Sequence, residues 1–214
     1  MMKILITGFD PFGGEKINPS AEAIKLLPKH IKDCEIITKT IPTVFELSAE
    51  VLKKEILEHN PDIVICIGQA GGSSNISIER VAINIDDARI PDNNGNTPVD
   101  KKIKEDGANA YFSTLPIKAI ITKLNENNIP AKISNSAGTF VCNHIMYQSL
   151  YLANQLNNNF KTGFIHIPFL PEQIGKAYPS MSLENIITAI EIIIETTIDY
   201  FYIDDINVSY GTEF

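Results

Sequence analysis

The 214-residue chain is poor in cysteine, short of basic charge and without a long apolar run. Its three cysteines, Cys34, Cys66 and Cys142, are too few for a disulfide framework. The opening Met1–Gly8 has too short an apolar run for the core of a secretory signal. Reduced thiols and a cytoplasmic protein are therefore expected. Lys and Arg number 18 against 26 Asp and Glu, giving a formal net charge of −8. With no Lys/Arg cluster, the basic footprint that nucleic acid requires is missing. The most apolar late stretch, Ile186–Ile194, is broken by Glu191 and too short to span a bilayer, so no membrane partner is expected. No linker rich in Gly/Ser or Pro and no solenoid-length repeat divides the chain, which argues one domain over residues 1–214.

Two further absences narrow the chemistry. Gly8-Phe9-Asp10-Pro11-Phe12-Gly13-Gly14-Glu15 begins with P-loop spacing, but Gly14-Glu15 stands where Lys-Ser/Thr is required, and a glutamate repels phosphate. Gly68-Gln69-Ala70-Gly71-Gly72 lacks the dinucleotide spacing, and no His/Cys/carboxylate group has metal-ligand spacing. No cofactor is expected.

What the sequence has is alternation. Residues 3–8, 35–41, 62–68, 131–134 and 163–168 read as strands, and 76–85 as extended. Helical patterns run from Asn18-Pro19-Ser20 to about Leu27, along Val44, Leu47, Val51, Leu52 and Ile56, over 116–126 and 143–157, and from Ser182 through Ile198. Residues 86–100 read as a long loop with hairpin pieces. Such alternation predicts a single-domain three-layer α/β/α fold whose twisted central sheet is mostly parallel. Sites in such sheets gather at the carboxyl ends of strands, where Gly8-Phe9, Gly68-Gln69 and His166-Pro168 fall.

Cys142 lies where the small residues of Ser136-Ala137-Gly138-Thr139 give way to a helical pattern. A helix N-terminus favours a thiolate, and a thiolate is a nucleophile. It then needs a base and a group to orient that base. His30 and His59 sit at polar helix ends and read as solvated. His144 is two helical positions from Cys142, roughly 200° around the axis, and points away. His166 stands in the otherwise apolar Gly163–Phe169, and Glu79 shares a strand face with Val81, Ile83 and Ile85. Each needs a polar partner. Each also has an ordinary alternative: a core histidine bonded to backbone, a structural buried glutamate, and for Cys142 a small buried hydrophobe, as Cys34 and Cys66 read. The residue physics leaves these alternatives open.

Longer motifs add to this. Gly68-Gln69-Ala70-Gly71 with Ile76–Asn84, Ser136–Tyr147, Gly163–Pro168 and the opening Thr7–Gly14 with Asn18-Pro19-Ser20 together resemble the pyroglutamyl peptidase I (pyrrolidone-carboxylate peptidase) family. The resemblance runs from about residue 3 to about 190; Ser73 departs from it, standing where many members carry arginine. It implies a cysteine peptidase acting on N-terminally pyroglutamylated peptides, with Cys142 as nucleophile, His166 as base then acid, and Glu79 as the orienting carboxylate. It also implies a homotetramer. Pyroglutamate is a neutral lactam, so an apolar pocket with a few pairing groups suits it: Phe9, Phe12 and Phe140 would flank the ring and Gln69 or backbone would meet the lactam. Asn18 is a helix cap, and Arg89 lies where it could assist an oxyanion. The same residues would also serve an amidase for another acyl group, or a binder of a small ligand. The tail Ile198–Ile203 is read as an edge strand or subunit contact.

Overall fold

The structure, a computed structural model, describes residues 1–157, 160–174 and 178–211. Seven strands form one sheet: Lys3–Phe9 (β1), His30–Ile31 (β2), Cys34–Ile41 (β3), Ile63–Gln69 (β4), Ile76–Glu79 (β5), Ala131–Ser134 (β8) and Lys161–Ile167 (β9). Val81–Ile83 (β6) and Ala110–Phe112 (β7) pair antiparallel as a separate ribbon. The sheet order is β2-β3-β1-β4-β9-β5-β8. Pairing is parallel from β3 through β9 and between β5 and β8. Only β2 against β3 and β5 against β9 run antiparallel, so the sheet is mostly parallel as expected.

Helices Pro19–Lys25 (α1), Ile117–Glu126 (α3) and Leu183–Asp199 (α6) pack on one face, and Phe45–His59 (α2) and Val141–Gln155 (α4) on the other. The central strands sort their side chains between the two layers by two-residue alternation. Ile4, Ile6, Ile63, Ile65, Ile67, Ile165 and Ile167 join Ile186, Ile190, Ile193 and Ile194 of α6. Leu5, Val64, Cys66 and Phe164 join Leu52 and Ile56 of α2 and Val141, Ile145 and Met146 of α4. A strand covered on both faces reads as an unbroken apolar run, and each such buried side chain stabilises the fold by about 1.5–3 kcal/mol. The caps follow the sequence. Asn18 Oδ1 accepts from the Ser20 N–H with Pro19 at the first helical position, and Ser182 accepts from the Asn185 N–H.

Some sequence expectations need correction. Residues 76–85 are not one strand: β5 ends at Glu79, and the chain leaves the main sheet at Arg80 to form β6. The supposed common face of Glu79, Val81, Ile83 and Ile85 is therefore broken. Val81, Ile83 and Ile85 are half-buried, and Ala82 and Asn84 are the buried ones. His30 does not end a helix but sits exposed on the edge strand β2. Helix α4 starts at Val141 rather than Asn143. Among the described residues no strand follows α6; Tyr202 and Ile203 are exposed and Phe201 packs against the core.

Candidate active site

The site is assembled on the α2/α4 side of the sheet. His166, next to last in β9, pairs with Gly68 of β4 on one side and Ser77 of β5 on the other. Cross-strand partners share a face, so Gly68, Ser77 and, two residues further, Glu79 all look to the same side as His166. Glu79 is thus the diagonal neighbour of His166, within reach of a long side chain. His166 Nδ1 lies 2.8 Å from Glu79 Oε1, with Glu79 only 1% exposed. The polar partner each residue needed is the other.

Cys142 reaches this pair because β4 carries no side chain at Gly68. A Cβ built there would lie 3.0 Å from Cys142 Sγ and 2.7 Å from Phe164 Cζ. The sulfur occupies the space above Gly68, one strand over from His166. Nδ1 is engaged by Glu79, which leaves Nε2 as the ring nitrogen open to the sulfur. Burial alone would lower the His166 pKa. The charge and hydrogen bonding of Cys142, and then of Glu79, outweigh it and raise the ring to about 10. Burial pushes the Cys66 thiol up to about 12 and also raises Cys34.

Cys142 is the second residue of α4, whose N-cap Phe140 offers no side-chain acceptor and whose first turn holds no acid. The first return bond is His144 N–H to Phe140 O. The N–H groups of Val141, Cys142 and Asn143 precede it and are open to an anion. The turn before the helix is held firmly. Gly138 adopts φ +78°, a conformation glycine takes without strain. Asp87 N–H donates to Thr139 O at 2.9 Å, and Thr139 Oγ1 donates to Asp87 O at 2.8 Å. Asn143 ties the helix start to the β6 segment, donating to Ile83 O and Ile85 O and accepting from Ile83 N–H.

His144 does turn away from the thiol. It is fully buried, with Nδ1 2.8 Å from Asp86 Oδ2 and Nε2 3.2 Å from Gln148 Nε2. An amide nitrogen only donates, so His144 Nε2 accepts and its Nδ1–H donates to Asp86. This second buried pair escaped the sequence reading, because nothing local marks Asp86 as the partner of a residue 58 positions away. His59 pairs with Glu55 at 3.4 Å.

The aromatic residues divide. Phe12 and Phe140 are half-buried with ring centroids 6.1 Å apart, and Phe45 meets Phe140 edge-on at 5.3 Å. Phe9 is 2% exposed and packs tilted against Phe164 at 6.3 Å between ring centroids, inside the core. Gln69 follows Gly68 in the strand, so its side chain turns to the opposite face. There its Oε1 accepts from Gln173 Nε2 at 2.9 Å. Asn18 is consumed by its cap and by a bond to Asp10 O. Arg89 is exposed.

A half-exposed cysteine on an uncapped helix N-terminus, beside a histidine held by a buried carboxylate, is the constellation of a cysteine hydrolase. A family model described as pyroglutamyl peptidase matches residues 2–200. The pyrrolidone-carboxylate peptidase of Fusobacterium nucleatum is 62% identical over 197 residues, 91% of this chain and 92% of the relative. That of Streptococcus suis is 54% identical over 213 residues, 99% of each chain. Among solved structures, pyroglutamyl peptidase I of Bacillus amyloliquefaciens superposes with a TM-score of 0.93 at 47% identity, covering 98% of this chain and all of that one. The pyrrolidone carboxyl peptidase of Thermococcus litoralis gives 0.95 at 42% identity, with the same coverage. The chain belongs to the pyroglutamyl peptidase family.

Proposed function

We propose that this protein is a cysteine peptidase that releases N-terminal pyroglutamate from peptides, with Cys142 as nucleophile, His166 as acid and base, and Glu79 as the carboxylate that orients His166. The observation that carries the reading is the Glu79–His166 bond of 2.8 Å lying beside a sulfur seated over Gly68. The Cys142 thiolate attacks the pyroglutamyl carbonyl, and the negative oxygen that forms is met by the free N–H groups at the start of α4. The His166 imidazolium gives its proton to the departing amine as the C–N bond breaks, leaving a thioester. Neutral His166 then takes a proton from water, the resulting hydroxide attacks the thioester, and pyroglutamate leaves as the thiolate and imidazolium are restored. Glu79 keeps the imidazole in the Nδ1–H form throughout.

The lactam ring, neutral and flat, fits the half-buried rings of Phe12 and Phe140, with Phe9 backing the site through Phe164 and Gln69 or backbone meeting the lactam amide. The chain acts as a single peptidase domain over residues 1–214, works in the cytoplasm without a cofactor, and assembles as a homotetramer. Among the described residues no helix is long and apolar enough to cross a membrane. The test is a panel of pyroglutamyl, prolyl, glutaminyl and alanyl coumarin amides, assayed before and after iodoacetamide. Pyroglutamyl cleavage that disappears in step with labelling of Cys142 is expected. Preference for another acyl group, or labelling without loss of activity, overturns the proposal.

A further inference from the structure

Among the described residues, each helix other than α4 has a side-chain oxygen bonded to an N–H at its start. Asn18 serves α1 and Ser182 serves α6. Asp92 accepts the Phe45 N–H of α2, and Asp205 accepts the Lys118 and Ala119 N–H groups of α3. In the short helix Pro171–Ile174 (α5), Gln173 Oε1 accepts the Leu170 N–H. Helix α4 has no side-chain cap. A cap would hold the helix end, but it would also occupy the second or third N–H of the helix, here that of Cys142 or Asn143. The start of α4 is held from within instead. Asn143 is 0% exposed. Its Oδ1 accepts the Ile83 N–H at 3.0 Å, and its Nδ2 donates to Ile83 O at 2.9 Å and to Ile85 O at 3.0 Å. A backbone N–H only donates and a carbonyl only accepts, so these partners fix the orientation of the amide. Ile83 sits opposite Ala110 in the β6–β7 ribbon. On its other edge the Asn143 amide stands in for the peptide group of a neighbouring strand.

From this we infer that Asn143 is a positioning residue for the reaction: its side chain fixes the start of α4 against the segment that carries Glu79, and it leaves the N–H groups of that start open to the oxyanion. This rests on the function proposed above and deepens it. Ile83 lies four residues beyond Glu79 in the chain, and Glu79 Oε1 holds His166 Nδ1. One short piece of backbone therefore joins the carboxylate that orients the base to the residue that follows the nucleophile. His144 with Asp86, and Thr139 with Asp87, extend the same seam on either side of Asn143. Without the Asn143 amide, the Ile83 N–H and the Ile85 carbonyl lose their partner, which is costly for backbone groups away from water. The turn that bears Cys142 is then free to slide over Gly68, and a misplacement of about 1 Å costs about 100-fold in rate.

The test is a pair of variants, Asn143→Asp and Asn143→Ser, assayed with pyroglutamyl coumarin amide well below their melting transitions, with rates counted per folded molecule by circular dichroism. The aspartate has the shape of asparagine and still accepts from the Ile83 N–H, but its second oxygen faces two carbonyls that it repels. Its kcat should fall about 10- to 100-fold. KM should change by less than about threefold, because Phe12 lies on another loop and Phe140 is braced by Phe45. The serine adds no charge and is too short to reach all three backbone groups. Its kcat should fall about 3- to 10-fold, again with KM nearly constant. A merely structural role would lower the melting temperature and leave the kcat of the folded molecules intact. Folded Asn143→Asp with kcat within about twofold of wild type overturns the inference, as does a loss that appears wholly in KM. Asn143→Ser with kcat within about twofold of wild type also overturns it, whether or not the aspartate variant folds, since any loss in the aspartate variant is then due to its charge. A wild-type enzyme that leaves pyroglutamyl amides uncleaved would instead overturn the proposed function.

Discussion

Gly68→Ala tests the placement of the sulfur without replacing any reacting group. A methyl at this position would lie 2.7 Å from Phe164 Cζ and 3.0 Å from Cys142 Sγ. Ordinary carbon contacts begin near about 3.5 Å, so something must move by about half an ångström or more. Phe164 is fully buried in the core between α4 and the sheet and has little room to retreat. Cys142 is half-buried at the first turn of its helix and yields more easily. Overpacking of this kind costs about 1–3 kcal/mol, a fall in Tm of about 2–12 °C for a chain of this size. Catalytic groups tolerate about 0.5 Å of displacement, and an error of about 1 Å costs about 100-fold. We expect kcat for pyroglutamyl coumarin amide to fall about 10- to 100-fold, with the circular dichroism spectrum retained. The assay is steady-state fluorescence alongside thermal melting. A folded Gly68→Ala enzyme with kcat within about twofold of wild type would refute this reasoning, since an offset of that size cannot leave a well-aimed sulfur in place.

Other consequences follow from the same geometry. The His166 pKa is raised to about 10, so its contribution to stability is complete below the unfolded value of about 6.5 and is lost as pH climbs toward 10. Imidazole NMR should show this ring protonated across neutral pH, and Cys142→Ala should lower its transition by removing the largest raising influence; a wild-type ring titrating near about 6.5 would contradict this. Glu79→Gln should lower kcat by about 10²- to 10⁴-fold, less than loss of the nucleophile, and an equal loss would mean Glu79 does more than orient the ring. His144→Ala strands Asp86 in the interior, where breaking a buried pair costs about 3–5 kcal/mol. Thermal melting should show a drop of about 6–20 °C, and an unchanged Tm would remove the structural role of this pair.

The layered fold was legible because the signs of burial are local: Ile63–Ile67 and Ile4–Ile6 are unbroken apolar runs, and Ser182, Asn18 and Pro19 mark helix starts within a few residues. Glu79 and His166 stood out because charge and imidazole interrupt apolar strands. Their partnership was not legible, since it depends on the antiparallel register Ser77↔His166 between segments far apart in sequence. The same holds for Asp86 with His144 and Gln69 with Gln173, whose side chains meet only after the sheet is assembled. The break at Arg80 was hidden because no Gly or Pro marks a turn between Ile76 and Ile85; the Arg80 N–H and carbonyl turn to Ser134 and Ser113, and the chain leaves the sheet there. Two-residue and three-residue strands such as β2 and β7 are too short to carry a pattern of their own.

The most direct measurement is the turnover number of purified, folded Cys142→Ala with pyroglutamyl coumarin amide. Removal of the attacking sulfur should lower kcat by about 10⁴- to 10⁶-fold while the melting transition persists. Turnover near the wild-type rate in that protein would show that the sulfur over Gly68 does not carry the chemistry.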